Sequence, residues 1–74
     1  MAAPSLNLDG GRVNLEAQTG TIYYTLDGSD PRAPGGAVSA TAKEYRAPVA
    51  ITPDARVTAR ALSGKRWSAP ARRG

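Results

Sequence analysis

The sequence predicts an all-β domain, a small sandwich of about six to seven short antiparallel strands, on three observations. Apolar residues recur with period two along most of the chain, clusters of Gly, Pro, Asp and Ser interrupt that alternation, and helical spacing fits the same residues far worse.

The elements follow in order. Leu6 and Leu8 flank Asn7 in the first candidate strand, and Val13, Leu15 and Ala17 alternate with Arg12, Asn14 and Glu16 in the second. Ile22, Tyr24 and Leu26 alternate with Tyr23 and Thr25, so Tyr24 is expected inside and Tyr23 on the opposite face. Val49 and Ile51 flank Ala50, Val57, Ala59 and Ala61 alternate with Arg56, Thr58 and Arg60, and Trp67 and Ala69 flank Ser68. Turns are expected at Asp9-Gly10-Gly11, Thr19-Gly20, Asp27-Gly28-Ser29-Asp30-Pro31, Pro53-Asp54 and Ser63-Gly64. Gly reaches positive φ there without steric cost, Pro fixes its own φ, and Asp or Ser bonds a nearby backbone N–H. Residues 33–42, containing Pro34-Gly35-Gly36 and only Val38 as a large apolar residue, form the one long irregular stretch. A loop of that length is either functional or a mobile insertion, and nanosecond mobility is expected.

At 74 residues the chain is one domain, residues 1–74, with a single core, and it reads as a module taken from a larger polypeptide. With no Phe and one Trp, the large side chains must fill that core, and Val13, Leu15, Leu26, Tyr45, Ile51, Val57 and Trp67 are its expected anchors. Zero Cys removes disulfides and thiol nucleophiles, and zero His removes the commonest general base and transition-metal ligand. No cofactor, metal or catalytic residue is expected, and no apolar run approaches the ~20 residues of a membrane-spanning helix. As a fragment the chain is expected to be a monomer.

Charge is uneven. Residues 1–54 hold four Lys and Arg against all six acids, whereas residues 55–74 hold six Lys and Arg and no acid. Arg56 and Arg60 fall on the solvent side of a half-buried strand and Arg72 and Arg73 in a tail, with no aromatic residue next to any of these four. The basic third therefore reads as an ordinary solvated surface, with no specific nucleic-acid partner and only weak, salt-sensitive polyanion binding.

The run Gly20-Thr21-Ile22-Tyr23-Tyr24-Thr25-Leu26-Asp27-Gly28-Ser29-Asp30-Pro31 resembles the GxIxYTxDGSDP signature of the chitobiase/β-hexosaminidase carboxy-terminal domain family, the Fn3-associated, immunoglobulin-like modules. Tyr45 with Pro48-Val49, the Ala-rich alternation of residues 56–61 and Trp67-Ser68 are similar to further steps of that pattern, and the resemblance spans residues 12–70. It implies an immunoglobulin- or fibronectin-III-like sandwich appended to other domains of secreted, periplasmic or surface bacterial proteins, some of them glycoside hydrolases. Such modules are accessory and carry no assigned catalytic residues. The stretch from Arg32 to Ala42 is longer than the minimal pattern and resembles a variant found in large multidomain proteins.

Within the motif, Ile22, Tyr24, Thr25, Asp27, Gly28, Ser29, Asp30 and Pro31 read as structural. Asp27 can accept N–H bonds across Gly28 and Ser29, while Pro31 biases Asp30 to extended geometry, which leaves Asp30 the less important carboxylate. The same pair could share Ca²⁺ only with most of the shell left to water. Tyr23 is either an exposed cross-strand packing residue or a contact for a sugar ring. The leading function is a non-catalytic spacer or docking module whose partners are neighbouring domains of its parent chain. The alternative is a carbohydrate-binding module, which an exposed aromatic pair involving Tyr23 would support.

Overall fold

The structure, a computed structural model, describes residues 3–9, 11–18, 20–52 and 54–73. The turns expected at 9–11, 19–20 and 53–54 thus fall partly outside the described residues, at Gly10, Thr19 and Pro53. Among the described residues there are eight strands: β1 (Ser5–Asp9), β2 (Arg12–Glu16), β3 (Thr21–Thr25), β4 (Lys43–Glu44), β5 (Val49–Ala50), β6 (Val57–Ser63), β7 (Arg66–Trp67) and β8 (Ala71–Arg73). The only helical element among them is a 3₁₀ turn at Pro34–Gly36.

All strand pairs are antiparallel, in two sheets. One has the order β1-β2-β5 and the other β4-β3-β6, with β7 and β8 lying end to end along the far edge of β6. The sheets share one core, to which Val13 and Leu15 come from the first and Ile22, Tyr24, Val57, Ala59 and Ala61 from the second. Cross-strand register explains the alanines. Tyr24 lies opposite Ala59 and Ile22 opposite Ala61, so each large side chain has a small neighbour that makes room for it between the sheets. Leu6, Leu26, Tyr45, Val49 and Ile51 close the core margin, with Tyr45 meeting Tyr24 edge-on at a centroid distance of 6.3 Å.

Several expectations need correction. Ala17 is exposed beyond the end of β2, and Ala69 is exposed between β7 and β8. Residues 71–73 are not a tail but strand β8, which pairs Arg72 with Thr58 and Ala71 with Ala59. Trp67 is not a core anchor. Its register partner is Leu62, which puts it on the face of β6 opposite Ala59 and Ala61.

The two-residue β6–β7 turn causes the reversal, because it pairs Ser63 with Arg66 and so seats Trp67 opposite the outward-facing Leu62. Farther along, from Trp67 to Ala71, the edge advances four residues while their partners on β6, Leu62 and Ala59, are three apart, so one extra residue bulges the edge between Ser68 and Ala71 and reverses the parity of β8. Buried Ser68 sits just before the bulge, opposite Ala61. Its N–H donates to Ala61 O at 2.8 Å, and its Oγ accepts from Ala61 N at 2.9 Å while donating to Ala69 O at 2.9 Å. Ser68→Ala should therefore cost about 1–3 kcal/mol, because the buried Ala61 N–H loses its acceptor. Urea denaturation measures that loss, and Ser68→Thr should recover part of it.

Residues 33–42 are also tied down rather than free of pairing. Ala33 N–H bonds Ala37 O at 2.7 Å, Ser39 N–H bonds Pro31 O at 2.8 Å, Ala42 N–H bonds Ser39 O at 3.0 Å, and Arg32 bridges Val38. Trp67 Nε1 anchors the turn from outside by donating to Gly36 O at 2.7 Å. These bonds favour a stiffer loop than the sequence suggests, and amide order parameters at Ala33, Gly36 and Ser39 are expected to approach strand values. Trp67→Phe keeps an aromatic ring but removes the donor, and it should lower the values at 35–37 selectively.

Candidate functional site

Three contacts define the path of the motif segment. Thr25 Oγ1 donates to Ser29 O, the Asp30 carboxylate meets Arg60, and Gly36 O accepts from Trp67. The segment therefore runs across the outer face of the five-stranded sheet, from the Thr25–Thr58 pair past Arg60 to Trp67. This path accounts for the burial of Thr25, Thr58 and Pro31 although the two threonines point away from the core.

The turn is built by carboxylates acting on backbone. Asp27 Oδ1 accepts from Ser29 N at 3.0 Å and from Ser29 Oγ at 2.6 Å. Gly28 adopts φ +83°, and its N–H bonds Arg56 O at 2.9 Å, closing the turn onto the start of β6. The Ser29 hydroxyl, assisted by the Ser29 N–H, holds the exposed Asp27 carboxyl below its ordinary value of 3.8. A lowered folded-state value means that the contribution of Asp27 is complete above the ordinary carboxylate range and is lost as pH falls through the folded value. Asp27→Ala should lower the melting temperature at pH 7, and the gap from wild type should narrow in acid. Millimolar calcium should move neither protein.

Asp30 does more than sequence reasoning assigns it. Its Oδ1 accepts from Arg32 N at 2.9 Å and lies 3.0 Å from Arg60 Nε, while Oδ2 accepts from Arg60 Nη2 at 3.3 Å. Arg60 Nε is buried and lacks hydrogen-bond alignment on Oδ1, so that contact is an ion pair rather than a hydrogen bond. Arg60, with 18% of its side chain exposed, also donates from Nη1 to Ser68 O at 3.3 Å. Pro31 restricts only the backbone of Asp30. The carboxylate itself fixes Arg60 on the outer face.

Beside Arg60 lie the aromatics. Tyr23, opposite Arg60 in register, is half-buried and packs on Trp67 with ring centroids 5.9 Å apart and planes at 55°. Trp67, Arg60, Arg32, Lys65, Arg66 and the Gly35-Gly36 backbone line an open groove of about 470 Å³. Arg32, Lys65 and Arg66 make no ion pair among the described residues. The sequence reading missed this grouping, although Gly64-Lys65-Arg66-Trp67 contained a local signal. Gly64, at φ +62°, permits the two-residue turn between β6 and β7 that sets two cations next to the indole.

The fold is thus an all-β, two-sheet module whose signature residues serve its own turn and outer face. The match to the family described as Fn3 associated runs over residues 13–69, from β2 to just past β7, and the chain belongs to that family. It is a family of accessory domains of larger proteins, not a catalytic one. No curated protein and no solved structure matches the chain. Among the described residues, no three Asp or Glu side chains come together as a metal-binding group.

Proposed function

We propose that this domain is a non-catalytic spacer or docking module of a larger secreted or cell-surface bacterial protein. The observation that carries the reading is the use of the family signature. Asp27, Ser29, Asp30 and Pro31 are all spent on turn bonds, an ion pair or burial, so the most distinctive residues build structure rather than face a substrate. Secretion and a bacterial parent are supported by the motif's resemblance to modules of such proteins.

The test is to compare amide spectra of the isolated domain and of the domain joined to its natural neighbours. Docking predicts shift changes over one contiguous surface, and spacing predicts changes at the chain ends only. Turnover of glycosides or esters by the isolated domain, abolished by Asp27→Ala or Asp30→Ala, would overturn the non-catalytic reading.

A second reading, carbohydrate binding, is favoured by one feature. Tyr23 and Trp67 form an aromatic pair on the outer face of the sheet rather than in the core.

A further inference from the structure

We infer that the groove beside Trp67 binds an acidic saccharide, with a pyranose ring against the indole and its carboxylate or sulfate groups on Arg32, Lys65 and Arg66. The inference rests on the carbohydrate reading above and specifies the ligand class. Four observations support it.

The first is charge. Four cationic side chains line the groove and no acid does, and Asp30 engages only Arg60 among them. The groove therefore keeps uncompensated positive charge, with guanidinium groups suited to planar or tetrahedral oxyanions. The second is the aromatic surface among those cations. An indole offers its electron-rich face to polarised C–H bonds, which a sugar ring presents and an inorganic anion lacks.

The third is preorganisation. Trp67 is held by its bond to Gly36 O and by Tyr23, and Arg60 by Asp30 and Ser68 O, so these two side chains lose little freedom on binding, whereas the exposed Arg32, Lys65 and Arg66 are ordered by the ligand. The fourth is shape. The groove of about 470 Å³ is bounded by the 3₁₀ turn at Pro34–Gly36 and by the β6–β7 turn, and it lies within the roughly 300–1,000 Å³ of small-molecule sites. Duplex nucleic acid fits poorly, because its bases are stacked away from a half-buried indole and nothing in so short a groove enters the duplex.

Titration calorimetry and amide spectra at about 150 mM salt test the inference. The probes are a sulfated heparin hexasaccharide, an oligogalacturonate, neutral chitohexaose and a single-stranded DNA of matched charge. At least one acidic saccharide should saturate and shift the Trp67 indole N–H. Lys65→Glu combined with Arg66→Glu should weaken that binding at least tenfold without altering the melting temperature, since both side chains are exposed. Trp67→Phe should weaken it less. The sulfated and carboxylated probes distinguish which oxyanion the groove takes.

Tighter binding of chitohexaose, unaffected by the charge reversals, would overturn the acidic-ligand inference and leave the carbohydrate reading standing. No binding of any saccharide at millimolar concentration would overturn both. Equal or tighter binding of DNA, or loss on charge reversal with no shift at the Trp67 indole, would make the surface a general polyanion contact and overturn the saccharide assignment.

Discussion

Tyr24→Ala should lower stability by about 3–5 kcal/mol, the cost of removing a buried aromatic side chain from a core that cannot collapse around the loss. Tyr24 is only 7% exposed, lies opposite Ala59 and meets Tyr45 edge-on, so its neighbours are an alanine too small to fill the space and a ring already committed at the margin. Tyr24→Phe should be nearly neutral. The Tyr24 hydroxyl makes no protein hydrogen bond among the described residues, and the side chain borders a shallow surface depression with Leu26, Thr41 and Lys43. Tyr23→Ala, one residue away on the outer face, should cost about 1 kcal/mol through its contact with Trp67. Chemical denaturation of the three variants measures the pattern, and equal losses at Tyr23 and Tyr24 would contradict the assigned faces.

Gly20→Ala should cost about 3 kcal/mol or more, from two sources that add. Gly20 adopts φ +86°, where an L side chain is strained. A Cβ there would also lie 2.5 Å from Leu62 O and 2.9 Å from Leu62 C, backbone atoms of β6 that cannot rotate away as a side chain would. Gly64 supplies the control. It has φ +62° but nothing within 4 Å of an added Cβ, so Gly64→Ala should show the conformational cost alone, about 1–2 kcal/mol. Similar losses at the two glycines would mean that β3 and β6 part readily at Leu62.

Much of this architecture was legible in residues alone, for definite reasons. Alternation in Val13 and Leu15, in Ile22 and Tyr24 and in Val57, Ala59 and Ala61 marks one face of each long strand, and all seven side chains meet in the core. The Asp27-Gly28-Ser29 turn was legible because its bonds span only two residues. Strands β4 and β8 were not legible, because Lys43–Glu44 carries no apolar alternation and Ala71–Arg73 reads as a basic tail.

The candidate groove lay beyond such reasoning. Its members come from the loop after Pro31, from the middle of β6, from the β6–β7 turn and from β7, and their grouping depends on strand register and on the long-range contacts Asp30–Arg60 and Gly36–Trp67. Trp67 shows the limit most clearly. Its parity with Ala69 predicted a core side chain, but the β6–β7 turn pairs it with Leu62 and turns the indole outward, leaving Ser68 as the buried residue. Local sequence alone determined which residues alternate and where the chain turns, because those preferences act over a few bonds. Only the tertiary structure decided which side of β7 faces the core and which cations gather around the indole, because the first depends on how β6 packs and on the register of its turn, and the second on contacts between segments distant in sequence.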